Sequence, residues 1–490
     1  MLLISLYTSR IILSTLGIED YGVYNVIGGF VGMFNILTSS FNAAISRFIT
    51  FGLGKRDLDH LQRTYSSSII IQITMAVLIG ILIEIIGIWY LNNKINIPHE
   101  RITAAFWILQ FSIVTFGLAL ISVPYNAEII AHERMDVYAW FSILDALIAL
   151  AIVLLLKIVP FDKLILYGAL CMASSLLMRI LYALYCRHHF EECRFKLTFD
   201  KAILKDLGGF AGWNLVGQIA FIFNTMGVNL LINSFFGVTF NAARGVADRV
   251  NGLAGKFTGS FMTAMEPQIT KTYAENDLQS MHTIVFRGTR LAAYLMIILA
   301  IPICLETKYL LNLWLVEVPE HAVSFARLTV AASLIGVVGR PLIIAQHATG
   351  KIKRYEIRNA LFEFWVFPLT WFAFKMGLTA EWSYYISLLV YFLLLFFRIY
   401  LVKSDIQLPW KSYIQNVIFK VALVSALSII PPTIILLSMK ESFWRLILVT
   451  LASTLSLGGL IYWQGIDDEE RSAFILFIKE KWNYFRIRCK

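Results

Sequence analysis

GVTFNAARGVADRVNGLAGKFTGSFMTAMEPQ, residues 237–268, lies between hydrophobic runs long enough to cross a bilayer, yet it carries Arg244, Asp248, Arg249, Lys256 and Glu266. A charge at the centre of a membrane helix costs about 2.5–3.5 kcal/mol on insertion scales, so it normally faces water or a partner helix rather than lipid. The stretch therefore predicts one wall of a polar, net basic cavity inside a helical membrane protein. Glycines at 237, 245, 252, 255 and 259 lighten the same segment and permit close helix packing or local bending.

Outward from this stretch, the chain of 490 residues is 58% hydrophobic and 15% charged, with a mean hydropathy of +0.70. That balance excludes an ordinary soluble protein and points to a polytopic membrane protein without a sizeable soluble domain. The 42 Lys and Arg exceed the 32 Asp and Glu by ten, but they sit in short loops between apolar runs, which argues against nucleic acid as a partner. The five cysteines, at 171, 186, 193, 304 and 489, show no CxxC spacing and fit packing roles or reduced thiols. The opening MLLISLYTSRIIL has no charged lead and no clear cleavage site, so the first hydrophobic stretch is expected to remain in the protein.

With about 20 apolar residues needed for roughly 30 Å of hydrocarbon, about 14 transmembrane helices are expected. They fall near 1–16, 21–46, 66–91, 102–126, 137–156, 164–186, 210–236, 240–266, 291–311, 323–346, 359–374, 382–397, 416–437 and 446–463. Loops on the side of the N-terminus then hold most of the Lys and Arg, which places both termini in the cytoplasm. The first inside loop is expected at RFITFGLGKRDLDHLQR, residues 47–63, as a determinant of topology. The expected organisation is an N-lobe at 1–186, a basic cytoplasmic linker at 187–209, a C-lobe at 210–402, two further helices at 403–465, and a tail at 466–490. In that tail Phe474, Phe477, Ile478, Trp482 and Phe485 recur at helical spacing, as an amphipathic helix on the inner membrane face would require.

An internal repeat gives the lobes their relation. At one constant offset Asn25 pairs with Asn241, Gly29 with Gly245, Asn35 with Asn251, Leu37 with Leu253 and Phe41 with Phe257. Asp57-Leu58 and Asp277-Leu278 follow the two matched spans after a small slip. The even number of helices between them leaves the copies in the same orientation, as in transporters built from parallel repeats. The fold class is thus an all-α polytopic membrane protein of two six-helix lobes in parallel pseudo-repeat, with two extra C-terminal helices.

LYTSRIILSTLGIEDYGVYNVIGGFV (6–31), FAGWNLVGQ (210–218) and NLLINSFFGVTFNAARGVADRVN (229–251) followed by PQITKTYA (267–274) resemble the polysaccharide transport branch of the multidrug/oligosaccharidyl-lipid/polysaccharide flippase superfamily. The resemblance implies a MATE-like fold in the bacterial inner membrane. It also implies a flippase that moves undecaprenyl-pyrophosphate-linked oligosaccharide from the cytoplasmic to the periplasmic leaflet for O-antigen, capsule or exopolysaccharide synthesis. Its partners would be the lipid-linked sugar, membrane lipid and the polysaccharide polymerase machinery. Relatives usually carry a basic lead and more helix before the LYTSR-like motif, so either this start is assigned late or the first helix is incomplete.

A pyrophosphate headgroup needs charge-assisted donors. The substrate-facing candidates are Arg244, Arg249, Lys256 and Arg10, with Asn241 and Asn251 beside them. Against that stands an intrahelical Arg244 to Asp248 pair, about 40° apart on an ideal helix, that only neutralises buried charge. Arg179, Arg327 and Arg340 are expected in helix-end or interlobe ion pairs. Asp248, Glu266, Glu84, Asp145 and Glu363 are candidates for coupling transport to Na+ or H+, each competing with a structural pairing. No catalytic residue, metal site or cofactor is expected. A cation-coupled multidrug exporter of the same superfamily is the alternative function, although drug cations would favour an acidic cavity. A membrane glycosyltransferase or polymerase could use Glu19-Asp20, but that outer loop is too short to hold an acceptor.

Overall fold

The structure is a computed structural model that describes residues 8, 11–12, 15–17, 20, 23–24, 27–93, 99–194, 196, 200–315, 318–467 and 470–472. Every regular element among these residues is helical, as a bilayer demands of a chain whose backbone polar groups must be satisfied within each crossing segment. Ten helices among them are long and apolar enough to span: Leu58–Trp89, Ile102–Ala131, Met135–Leu155, Lys163–His189, Lys201–Phe236, Leu278–Leu305, Ala322–Ala348, Trp382–Val402, Trp410–Ser438 and Phe443–Gly465.

The other four expected spans have separate explanations. The first two lie partly outside the described residues, where Asn35–Lys55 is the continuous helical part. The eighth is the long helix Val238–Ala274, whose charges keep it from qualifying by composition. The eleventh starts earlier than expected and is two abutting helices, Lys353–Phe364 and Val366–Lys375. The amphipathic tail beyond residue 472 lies outside the described residues.

The inside loop expected at 47–63 is helical almost throughout. Asn35–Lys55 gives way to Leu58–Asn93 across only Arg56 and Asp57. Arg56 turns the chain at φ 55°, and the Asp57 carboxylate accepts from the His60 backbone N–H at 3.0 Å. Residues such as Arg, Lys, Leu and Gln extend helices past the hydrocarbon because their helix propensity does not depend on lipid. The matched position in the repeat is built the same way: Asn276 takes φ 60°, and Asp277 caps the next helix by accepting from Ser280 N–H at 3.0 Å. Gly29 and Gly245 are likewise both exposed, with open space where a Cβ would stand. The copies diverge at Phe41, which is buried at 7%, against Phe257, exposed at 62%. Asn25 lies outside the described residues.

By its contacts the chain forms two compact units, residues 1–218 with 270–276, and 219–269 with 277–490. The division thus falls inside the Lys201–Phe236 and Val238–Ala274 helices, and the 187–209 segment expected as a linker belongs to the first unit. In the first unit Ile102–Ala131 is central, packing on Asn35–Lys55, Leu58–Asn93 and Lys163–His189. Its Ile108, Leu109 and Leu120 are fully covered, and Gly168 lets the neighbouring helix close to where an added Cβ would meet Ile108 at 2.5 Å. In the second unit Leu278–Leu305 and Ala322–Ala348 pack together at the core. Met135–Leu155, where only Ile152 and Val153 are buried, is instead a peripheral helix that leaves most of its apolar surface to lipid.

Candidate functional site

The Val238–Ala274 helix begins at a break that only glycine adopts without strain, Gly237 at φ 87°. Its two faces are chemically opposite. Ala243, Ala247, Ala254 and Thr258 form a buried stripe. The alanines of that stripe pack among Phe325, Ala326, Met296 and Val330 of the two core helices. On the other side, at about 100° per residue, Gly245, Arg249, Gly252 and Lys256 share one exposed face. The glycines there have nothing within 4 Å of an added Cβ. Among the described residues, neither Arg249 nor Lys256 has a side-chain hydrogen bond or ion pair.

Arg244 stands apart from this pair. Its side chain is 11% exposed and lies 3.9 Å from the Asp248 carboxylate, itself 60% exposed. Arg244 also donates from Nη2 to the Thr225 carbonyl at 3.1 Å, and its guanidinium lies 5.8 Å from the Tyr384 ring centre. Thr225 belongs to a π-helical turn, Phe223–Gly227, inside the Lys201–Phe236 helix. Such turns displace backbone carbonyls from the regular ladder and recur at functional positions. The same turn aims Asn224, whose amide donates to the Glu363 backbone carbonyl at 2.9 Å. The side-chain carbonyl oxygens of Asn241 and Asn251 are buried without a hydrogen-bond donor.

The remaining candidates are placed as follows. Glu363 is buried with Asn359, which donates to it at 3.4 Å, and Arg398, 4.0 Å away. Arg398 also donates to Asn359 at 2.8 Å. Glu84 accepts from Gln110 with both oxygens, at 2.8 and 2.9 Å. Glu266 feels the charges of His347 and Arg340, Asp145 is exposed, and Arg10 lies outside the described residues. Arg327 donates to the Cys304 carbonyl at 2.8 Å, and Arg179 to the Tyr125 hydroxyl at 2.9 Å. Glu363 is therefore built into a structural network, whereas Arg249 and Lys256 are uncommitted.

Sequence reading missed Arg398, Asn224 and Asn359, although a lone Arg within LLLFFRIYLV was a visible signal. It also missed Glu128, His132 and Glu192 in the first unit, whose ligand atoms all lie within 4.8 Å of one another.

The family model described as "Polysaccharide biosynthesis protein" matches residues 2–272. The chain belongs to that family. No curated protein sequence matches it significantly. Among solved structures, a MOP superfamily transporter from Pyrococcus furiosus, described as having a binding pocket of reverse polarity, is similar at 15% identity and a TM-score of 0.70, over 83% of this chain and 92% of that one. A multidrug resistance MATE family transporter in an outward-facing conformation gives the same identity, TM-score and coverage. The MATE transporter ClbM in complex with Rb+ matches at 15% identity and a TM-score of 0.64, over 81% and 92%. This member of the polysaccharide biosynthesis family is therefore an all-helical, multi-pass membrane protein with a MATE-like fold.

Proposed function

We propose that the chain is a flippase for polyprenyl-pyrophosphate-linked oligosaccharide, carrying the anionic headgroup to the outer leaflet of the bacterial inner membrane by alternating access. The observation that carries this reading is the exposed Gly245, Arg249, Gly252, Lys256 face, with two uncommitted bases on a helix whose opposite face packs into an apolar core. Arg supplies a planar fork for phosphate oxygens and Lys a mobile point charge. Glycines between them keep the backbone accessible to a bulky headgroup. Membership in the polysaccharide biosynthesis family supports the substrate class. Outward movement of a negative headgroup from a negative interior gains about 2.3 kcal/mol per charge per 100 mV, so the potential alone biases export. No bond is made or broken.

The fold is equally that of multidrug transporters, which makes a drug exporter the second reading. Vesicles holding the purified protein separate the two. Protein-dependent translocation of a labelled lipid-linked sugar, with no ethidium transport, is the expected result; ethidium transport without sugar translocation reverses the assignment.

A further inference from the structure

The Ile102–Ala131 helix of the first unit ends with an arrangement that the transport reading does not use. Glu128 and His132 stand one turn apart, and Glu192 reaches them from the short turn Glu191–Cys193. Glu128 is fully buried, and neither of its carboxylate oxygens has a hydrogen bond. His132 Nε2 is 2.5 Å from Glu192 Oε1 and 3.8 Å from Glu128 Oε2. Its ring is held flat against Phe190, with centroids 4.1 Å apart and planes 8° from parallel. The nearby cation, Arg134, spends its guanidinium on Asp136 in two bonds of 3.0 Å.

With both carboxyl groups ionised, the trio keeps a net negative charge even when the imidazole is protonated, and a buried carboxylate without a donor is costly. A divalent cation cancels both carboxylate charges and gives Glu128 a partner. Around a tetrahedral metal with ligand bonds of about 2.0–2.1 Å, donor atoms stand about 3.3 Å apart, so ligand atoms that all lie within 4.8 Å of one another need changes in spacing of no more than about 1.5 Å. The imidazole favours transition metals over Mg2+ and Ca2+, which take oxygen ligands. Cys186, whose thiol donates to the Tyr125 carbonyl at 3.6 Å, and Cys193 are buried in the same cluster as Phe190. Access is open: His132 and Glu192 line a cavity of about 370 Å3 together with Arg134, His189 and Glu191.

Among the described residues the second unit holds no matching trio of ligand atoms, although a His–Glu pair recurs there. Its matching helix, Ala322–Ala348, carries Pro341 where the first carries Pro124, and both turn just beyond their ends, at Gly350 (φ 74°) and Glu133 (φ 58°). There His347 Nε2 pairs with the buried Glu356 carboxylate at 2.7 Å, beside the neutral Gln346, whose amide donates to Asp405 at 2.8 Å and to the Lys351 carbonyl at 3.1 Å.

We propose that Glu128, His132 and Glu192 bind one divalent transition-metal cation of the zinc class, which clamps the end of the Ile102–Ala131 helix to the turn following Lys163–His189. The test uses the tag-free full chain in detergent, stripped with EDTA, reloaded with ZnCl2 or MgCl2 and desalted. Elemental analysis is expected to find one zinc per chain and no retained magnesium, with zinc raising the unfolding temperature. Glu192→Gln and His132→Ala are each expected to weaken zinc binding by a factor of about 10 or more. Equal zinc content in the double variant, no zinc in the wild type, or equal retention of magnesium would overturn the proposal. Should the variants fail to fold, Co2+ added to the stripped wild type decides: visible bands of a low-symmetry Co2+ site support the proposal, and the spectrum of hydrated Co2+ refutes it.

Discussion

Arg398 and Arg249 lie in the same compact unit and meet opposite surroundings. Arg398 is enclosed with Asn359 and Glu363, pressing so close to Gly339 that an added Cβ there would sit 2.9 Å from its Nη1. Arg249 projects from a face of glycines with no partner among the described residues. A charge within a membrane helix persists when it is paired in the protein or reaches water and ligand. Pairing state therefore separates the charges that hold the helices together from those available to a substrate, where charge at membrane depth alone does not.

The largest effect is expected from breaking the enclosed side of this contrast. Arg398→Ala leaves Glu363 without its cation and Asn359 without its donor, and removing one partner of a buried pair costs about 3–5 kcal/mol. The checkable outcome is a lower unfolding temperature and a fall in folded protein after extraction. Replacing the exposed side, Arg249→Ala with Lys256→Ala, should leave stability within about 0.5 kcal/mol. Translocation should instead fall by on the order of 10-fold per base, since charge-assisted hydrogen bonds contribute about 1.5–3 kcal/mol each. Normal surface-polysaccharide display by this double variant would remove the two bases from the site and dissolve the contrast.

Asp248 sharpens the boundary between the two kinds of charge. The sequence alone allowed an Arg244 to Asp248 pair whose loss would impair folding. The 3.9 Å separation and the 60% exposure of Asp248 make it a weak, screened pair, and such pairs contribute about 0–1 kcal/mol. Arg244 keeps its bond to the Thr225 carbonyl without it. Asp248→Asn should therefore unfold within a degree or two of the wild type, and a larger drop would move Arg244 and Asp248 to the structural side.

What the sequence disclosed follows from the range of each signal. Apolar runs of span length announce helices locally, and the ten qualifying helices lie where such runs were read. The charged stretch at 237–268 proved to be a continuous helix for the same reason, because a charge set every few residues is compatible with an α-helical face. Helix ends were misjudged where polar residues prolong a helix beyond lipid, as at 47–63. Partnership was not legible at all. Glu363 and Arg398 are 35 residues apart, and Arg244 meets the carbonyl of a π-turn that no hydropathy pattern marks. A lone acid such as Glu363 and a lone base such as Lys256 look alike until the neighbouring helices are placed.

The smallest expected effect concerns a charge that is partnered but lies outside the membrane, at the turn shared by the two repeats. The Ser280 side chain and then its backbone N–H hold the Asp277 carboxyl below the usual range, with slight desolvation opposing them. A depressed carboxyl pKa stabilises the fold above the unfolded value of about 3.9, and that contribution is lost as pH falls through the lower folded value. Asp277→Asn keeps an accepting oxygen at the cap, so its difference from the wild type isolates the charge. The wild type should unfold at a slightly higher temperature, by a constant margin, from neutral pH down to about pH 5, and the margin should close below about pH 4. A margin that persists in acid would mean the turn is held by geometry rather than charge. Pairing would then matter for stability only where burial removes the competing water, as it does around Arg398.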